Sequence, residues 1–283
     1  MKICLQKWMP QHGVSRLVGK LASCRIVWLK NFFIRWFIKQ YKVDMSEAEQ
    51  ADYREYPNFN AFFTRPLKSG ARLISDDVNQ LVCPVDGYVS ELGAIRHDQL
   101  FQAKGHHFKL LDLLGGDEAM AEKFYDGNFL TAYLSPKDYH RIHMPIAGQL
   151  QKMVHVPGDL FSVNPYTVAH VPSLFARNER VVCLFETELG PMVIILVGAV
   201  IVASIATVWH GVVTPPTSKT IQQWDYGNQN VLLNRGEEMG HFQLGSTAIV
   251  LFGKDRIFWD SALKTGDALR MGQGVGNKKV RDL

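Results

Sequence analysis

The sequence predicts an α+β protein, with a mostly β, sandwich- or barrel-like body preceded by amphipathic helices at the N-terminus. Two textures predict it. Before about residue 45 apolar residues recur at helical spacing, whereas from about residue 80 short runs rich in Val, Ile, Phe and Tyr are punctuated by Gly, Pro, Asp and Asn. With 283 residues, 47% of them hydrophobic, the chain can bury a full core. No repeat or linker divides it, so the working division is an N-terminal segment, residues 1–45, and one globular body, residues 46–283.

In residues 14–43, Ile26, Leu29, Phe33 and Trp36 share one helical face, and Arg35, Lys39 and Lys42 fall on another. The net charge is only +4, but every charged residue before Asp44 is basic. A basic amphipathic helix carrying Trp28, Phe32, Phe33, Trp36 and Phe37 suits the interface of an anionic bilayer. A helix packed on its own core with a solvated basic face stays open beside that reading. Charges interrupt every stretch that could serve as the apolar region of a secretion signal, and no small-residue cleavage site follows. A mitochondrial transit peptide is compatible with the composition. Cys4, Cys24, Cys83 and Cys183 lie far apart with no C-x-x-C pair, which disfavours a zinc knuckle or a disulfide framework and fits a reducing compartment.

The β texture shows in "GYVSEL", "NFLTAYL", "QLQKMVHV", "RVVCLFETEL" and "TAIVLFG". Strands this short and numerous imply a sandwich or barrel. "PMVIILVGAVIVASIATVW", residues 191–209, is long and apolar enough to cross a membrane. Its β-branched residues, Gly198 near the middle, and the lack of basic residues close to either end predict two buried strands instead.

Three stretches could carry chemistry. "YLSPKDYHRIHMPIAG", residues 133–148, sets His140 and His143 three residues apart, enough for a base near neutral pH; a metal site needs further ligands that the spacing does not supply. "CPVDGYV", residues 83–89, places Asp86 before Gly87, which reads either as a hairpin turn or as a carboxylate that orients a histidine. In "MGHFQLGSTAIVLFG", residues 239–253, Gly245 leaves its carbonyl unshielded and Ser246 offers a hydroxyl one residue on, the arrangement for an attack on the backbone; a plain turn into a strand is the other reading. Asp86, His143 and Ser246 could form an Asp/His/Ser set, since such sets are recognised by geometry rather than chain order. The G-x-S-x-G elbow is absent, which counts against an α/β-hydrolase.

The stretches "FNAFFTRPLKSGARLI", "CPVDGYVSELG", "QAKGHHFKLLDLLGG", "YLSPKDYHRIHMP", "VPGDLFSVNP", "VGAVIVASI", "GVVTPP" and "EMGHFQLGSTAIVLF" resemble, in order, the phosphatidylserine decarboxylases of the bacterial membrane-associated type. The likeness runs from about residue 59 to 252. One departure is visible, since Ala206 stands where the family's pattern has an acid after Ser-Ile. The resemblance implies self-cleavage between Gly245 and Ser246 into a β chain, residues 1–245, and an α chain, residues 246–283. Ser246 would become a pyruvoyl group, the covalent cofactor, which forms a Schiff base with the amine of phosphatidylserine, so that phosphatidylethanolamine and carbon dioxide are released. It carries the triad onto Asp86, His143 and Ser246, and a second active-site histidine onto His140, read as the proton donor. It further implies no metal, no nucleic-acid partner, an anionic membrane surface as partner, a heterodimer of the cleaved chains, itself able to pair, and a peripheral place on the cytoplasmic face of the cell membrane.

Overall fold

The computed structural model describes residues 11–200, 204–215, 219–243 and 246–279. Its largest sheet has nine strands, all antiparallel. Hydrogen-bonded neighbours run from Gln222–Asp225 through Gly148–Val156, Arg180–Thr187, Gly190–Val197, Ser246–Phe252, Asn128–Leu134 and Gly87–Ala94 to Ala268–Leu269, with Leu232–Leu233 also pairing on Gly148–Val156. The sheet stays open, so of the two β forms anticipated the body takes the sandwich-like one.

Alternation along the strands divides the core in two. Met192, Ile194, Leu196, Ala248, Val250 and Phe252 pack into one cluster, while Val193, Ile195, Val197, Ile249 and Leu251 pack into another on the opposite face. A sheet covered on both faces needs apolar residues at every position, which explains why these strands read as continuous apolar runs. Residues 191–209 accordingly supply all but the first residue of strand Gly190–Val197 and, further on, strand Ile205–Thr207. Among the described residues no helix is long and apolar enough to cross a membrane.

The first face is covered by two smaller sheets. One orders its strands Gly211–Val212, Ile205–Thr207, Glu238–Phe242 and Arg141–His143, and the other Gln80–Val82, Gly274–Lys278 and Ile257–Trp259. Ile142, Ile205, Met239, Phe242, Leu81, Val275 and Ile257 join the cluster on that side. The second face is covered by short helices such as Leu110–Leu113, Glu118–Ala121 and Leu174–Arg177, whose Leu110, Leu113, Met120, Leu174 and Phe175 are buried there.

The N-terminal segment differs from one continuous helix. It forms Gln11–Ala22 and Val27–Tyr41 with a break between them, where Asn60 Nδ2 donates to Ser23 Oγ at 3.0 Å. In the second helix the body-facing residues are Lys30, Ile34 and Phe37, which are buried. Lys30 Nζ donates to the Arg54 carbonyl at 2.7 Å, and Phe37 meets Phe59, Phe62 and Phe63 edge-on. The face of Ile26, Phe33 and Trp36 points outward, together with Trp28 and Phe32, the two tryptophans at 72% and 51% exposure. An aromatic stripe left outside the core has a use other than packing.

Candidate functional site at the start of the central strand

Ser246 is the first residue of the central strand and pairs with Leu134. It shares the face of Ala248, Val250 and Phe252, the face covered by the small sheet that contains His143. Ser246 is fully buried and its Oγ has no hydrogen-bond partner among the described residues. An unpaired buried hydroxyl costs about 1–3 kcal/mol, so its persistence calls for a chemical reason. Leu244 and Gly245, the other half of the expected cleavage site, lie outside the described residues.

Leu134 runs directly into the loop bearing both histidines. Asp138 closes that loop, its Oδ2 accepting from the Ser135 backbone N–H and Oγ, both at 2.7 Å. Phe242 N–H then donates to the His140 carbonyl at 3.0 Å, His143 pairs with Glu238, and His143 N–H donates to the Pro84 carbonyl at 2.9 Å. The strand that leads toward Ser246, the histidine loop and the Asp86 segment are thus fastened to one another through their backbones.

The His143 ring is 8% exposed. Its Nδ1 lies 2.8 Å from the Gly236 carbonyl oxygen, which can only accept, so Nδ1 carries the proton. Nε2 is left as an acceptor, and Tyr139 Oη donates to it at 3.0 Å. Burial holds the ring's pKa below the ordinary imidazole value, while the Gly236 carbonyl and the charges of Glu238 and Asp86 draw it back. A neutral imidazole whose Nε2 lone pair is released when the Tyr139 hydroxyl leaves it can act as a base.

The structure corrects the expected partner of that ring. Asp86 does not hydrogen-bond His143, because its carboxylate is taken: Arg72 Nε reaches Oδ1 at 2.9 Å, Arg72 Nη2 reaches Oδ2, and Met271 N–H donates to Oδ1 at 2.8 Å. Arg72 in turn donates to Glu47 at 2.8 Å. The His143 tautomer is set by the Gly236 carbonyl instead, and Asp86 acts on the ring through space. Nor does Asp86-Gly87 form a hairpin turn. Gly87 enters strand Gly87–Ala94 at φ 156°, where a Cβ would lie 2.2 Å from the Tyr133 carbonyl oxygen, so only glycine lets the two strands approach.

His140 is fully buried and stacks on Phe63, with ring centroids 4.1 Å apart. Neither ring nitrogen has a well-formed hydrogen bond. Burial, then the nearby Arg65 guanidinium, push its pKa down to about 3, against a weak pull from the Pro136 and Ser135 carbonyls. Sequence reasoning missed Tyr139, Arg72 and the Gly236 carbonyl. Tyr139 lay within the histidine stretch, and Arg72 within a stretch that carried the resemblance, but neither residue type announces its partner.

A family model described as "Phosphatidylserine decarboxylase" matches residues 59–277, and a second, described as "PSD", matches residues 1–42. A Pseudomonas fluorescens protein named phosphatidylserine decarboxylase proenzyme is 56% identical over 276 residues, 97% of this chain and 96% of its own. A namesake from Idiomarina loihiensis is 55% identical over 285 residues, 100% of this chain and 98% of its own. One from Vibrio vulnificus is 56% identical over 275 residues, 96% of each chain. With one family model over residues 59–277 and relatives this similar over nearly the whole chain, the chain belongs to the phosphatidylserine decarboxylase family.

Proposed function

We propose that this chain cleaves itself between Gly245 and Ser246 and then decarboxylates phosphatidylserine to phosphatidylethanolamine and carbon dioxide. The observation that carries the reading is the buried Ser246 Oγ, unpaired among the described residues, at the mouth of the central strand on the sheet face covered by the strand that bears His143. His143 Nε2 takes the serine proton, and Ser246 Oγ attacks the Gly245 carbonyl, exchanging a peptide bond for an ester. Removal of the Ser246 Cα proton breaks that ester and frees Gly245 as a C-terminal carboxylate; hydrolysis of the dehydroalanine left behind releases ammonia. The pyruvoyl carbonyl so formed supplies an electron sink for the departing carboxylate.

Tyr139 occupies Nε2 in the uncleaved chain, so it must turn aside before His143 can act. Asp86 supports the imidazolium by its charge and holds the 270–271 segment by its bond to Met271. His140 is the proton donor to the substrate carbon; held neutral by burial in the uncleaved chain, it must take up that proton during the decarboxylation cycle. Its apolar, stacked setting excludes water from that step. The exposed aromatic face of Val27–Tyr41, flanked by Arg25, Arg35 and Lys39, lies in an anionic bilayer surface, which brings the site to a lipid that does not leave the membrane. In this reading the protein works peripherally, on the cytoplasmic face of the cell membrane. The test is Ser246→Ala: the variant should remain one chain and release no carbon dioxide from phosphatidylserine. Activity in an uncleaved Ser246→Ala protein would overturn the proposal.

A further inference from the structure

A cleft of ≈ 230 Å³ opens beside the histidine loop, and Tyr139, whose hydroxyl meets His143, forms part of its wall. Arg65 lines the same cleft at 3% exposure. Its Nη2 donates to the Lys137 carbonyl at 3.2 Å, but Nε and Nη1 are buried without a partner. Leaving charged donors unpaired out of water is costly, and a planar guanidinium is shaped for two parallel bonds to an oxyanion.

The acids of the cleft do not fill that need. Asp86 and Glu47 bind Arg72, Asp138 accepts from Ser135, and Asp44 accepts from Ser46. Among the described residues Arg65, Lys42 and Lys137 have no carboxylate within ion-pairing distance. Of the four cations that line the cleft, Arg72 is taken by Asp86 and Glu47 and Lys137 rests over the Tyr88 ring, whereas Arg65 is buried and under-bonded with Lys42 exposed beside it, an anion site that the described residues leave unfilled.

We propose that Arg65, with Lys42 and Lys137 at the rim, receives the phosphodiester of the lipid headgroup, a reading that rests on the function proposed above. Two arguments select the phosphodiester over the substrate's carboxylate. A carboxylate clamped by arginine is stabilised most in the ground state, which opposes its loss, whereas a phosphodiester passes through the reaction unchanged and can be held throughout. Lys42 also sits one residue beyond Val27–Tyr41, so the cleft lies at the foot of the helix whose aromatic face is assigned to the bilayer. Phe63, two residues before Arg65, stacks on His140, so the anion is seated next to the proposed proton donor.

The test uses the self-cleaved protein, soluble short-chain phosphatidylserine, and glycerophosphoethanolamine as a competitor that has the phosphodiester but no acyl chains. Arg65→Gln should still cleave, with KM raised about 10- to 100-fold and kcat within about threefold, because a bond equally strong in ground and transition states sets KM alone. Arg65→Lys should recover part of the loss. Glycerophosphoethanolamine should compete against the parent protein, inorganic phosphate at the same concentration should compete less, and Arg65→Gln should abolish both effects. A cleaved Arg65→Gln protein with unchanged KM, or undiminished competition, would overturn the assignment. Equal competition by inorganic phosphate would reassign the cleft to a free anion. Should Arg65→Gln fail to cleave, Lys137→Gln at the exposed rim decides through the same KM and competition readings, with unchanged values against the proposal. Absence of cleavage or of decarboxylation in the parent protein would instead refute the underlying function.

Discussion

At the scale of single residues, the site sets two buried groups without hydrogen-bond partners among the described residues, Ser246 Oγ and the His140 ring, near two that are fully bonded, His143 and Asp86. His140 makes this measurable. Folding depresses its pKa from 6.5 to about 3, so between those values the unfolded chain binds a proton that the folded one refuses. Stability should therefore be level above about pH 7 and fall as pH drops through that window, by at most about 1.4 kcal/mol per pH unit from this group. Urea unfolding of Ser246→Ala, which keeps one chain, should show that slope, and His140→Phe, which can still stack on Phe63, should flatten it; equal slopes would deny that His140 is buried neutral. Cleavage kinetics separate the remaining residues. His143→Ala should slow self-cleavage by about 10²–10⁴-fold, the range for loss of a general base. Asp86→Asn should also slow it, by removing a charge that favours the imidazolium and by leaving Arg72 with Glu47 alone. Tyr139→Phe removes a competitor for Nε2, so it should cleave at least as fast as the parent; a block would mean that Tyr139 relays the proton.

At the scale of elements, the proposed function assigns chemistry to strand Ser246–Phe252 and location to helix Val27–Tyr41. Changing Phe33 and Trp36 together to Asp should leave cleavage intact, since both lie on the exposed face of the helix, yet release the protein from anionic vesicles. Sedimentation with liposomes reads this directly, and full retention of the double variant would place the membrane contact elsewhere. The strands were legible because burial on both sheet faces writes itself into sequence as unbroken apolar runs; Gly198 marked the end of one of them correctly. The break after Ala22 was not legible, because Ser23, Cys24 and Arg25 include no Gly or Pro and the contact made there, from Asn60, comes from 37 residues away. The same limit applies at the site. Asp86, His140, His143 and Ser246 stood out by residue type, but the partner of His143 is a backbone carbonyl 93 residues distant, and a carbonyl leaves no mark on composition. Asp86 was visible as a carboxylate, whereas its capture by Arg72 depends on how residues 65–86 fold back on themselves.

At the scale of the whole molecule, the expected cleavage falls at the entrance to the central strand, and this placement determines what becomes of the pieces. Residues 246–252 pair with Asn128–Leu134 on one side, and residues 247–252 with Gly190–Val197 on the other, while Met271 N–H stays bonded to Asp86 and Arg270 to Glu47. The two chains should therefore remain one particle in native chromatography and separate only on denaturation. Cutting at a buried point lets the new N-terminus stay in the site where it formed, next to the histidine loop. Intact-mass analysis of the denatured protein tests the central claim most directly. It should find residues 1–245 ending in a free carboxylate and residues 246–283 with an N-terminus closed to Edman degradation, whereas a single full-length chain that still decarboxylates phosphatidylserine would contradict the account.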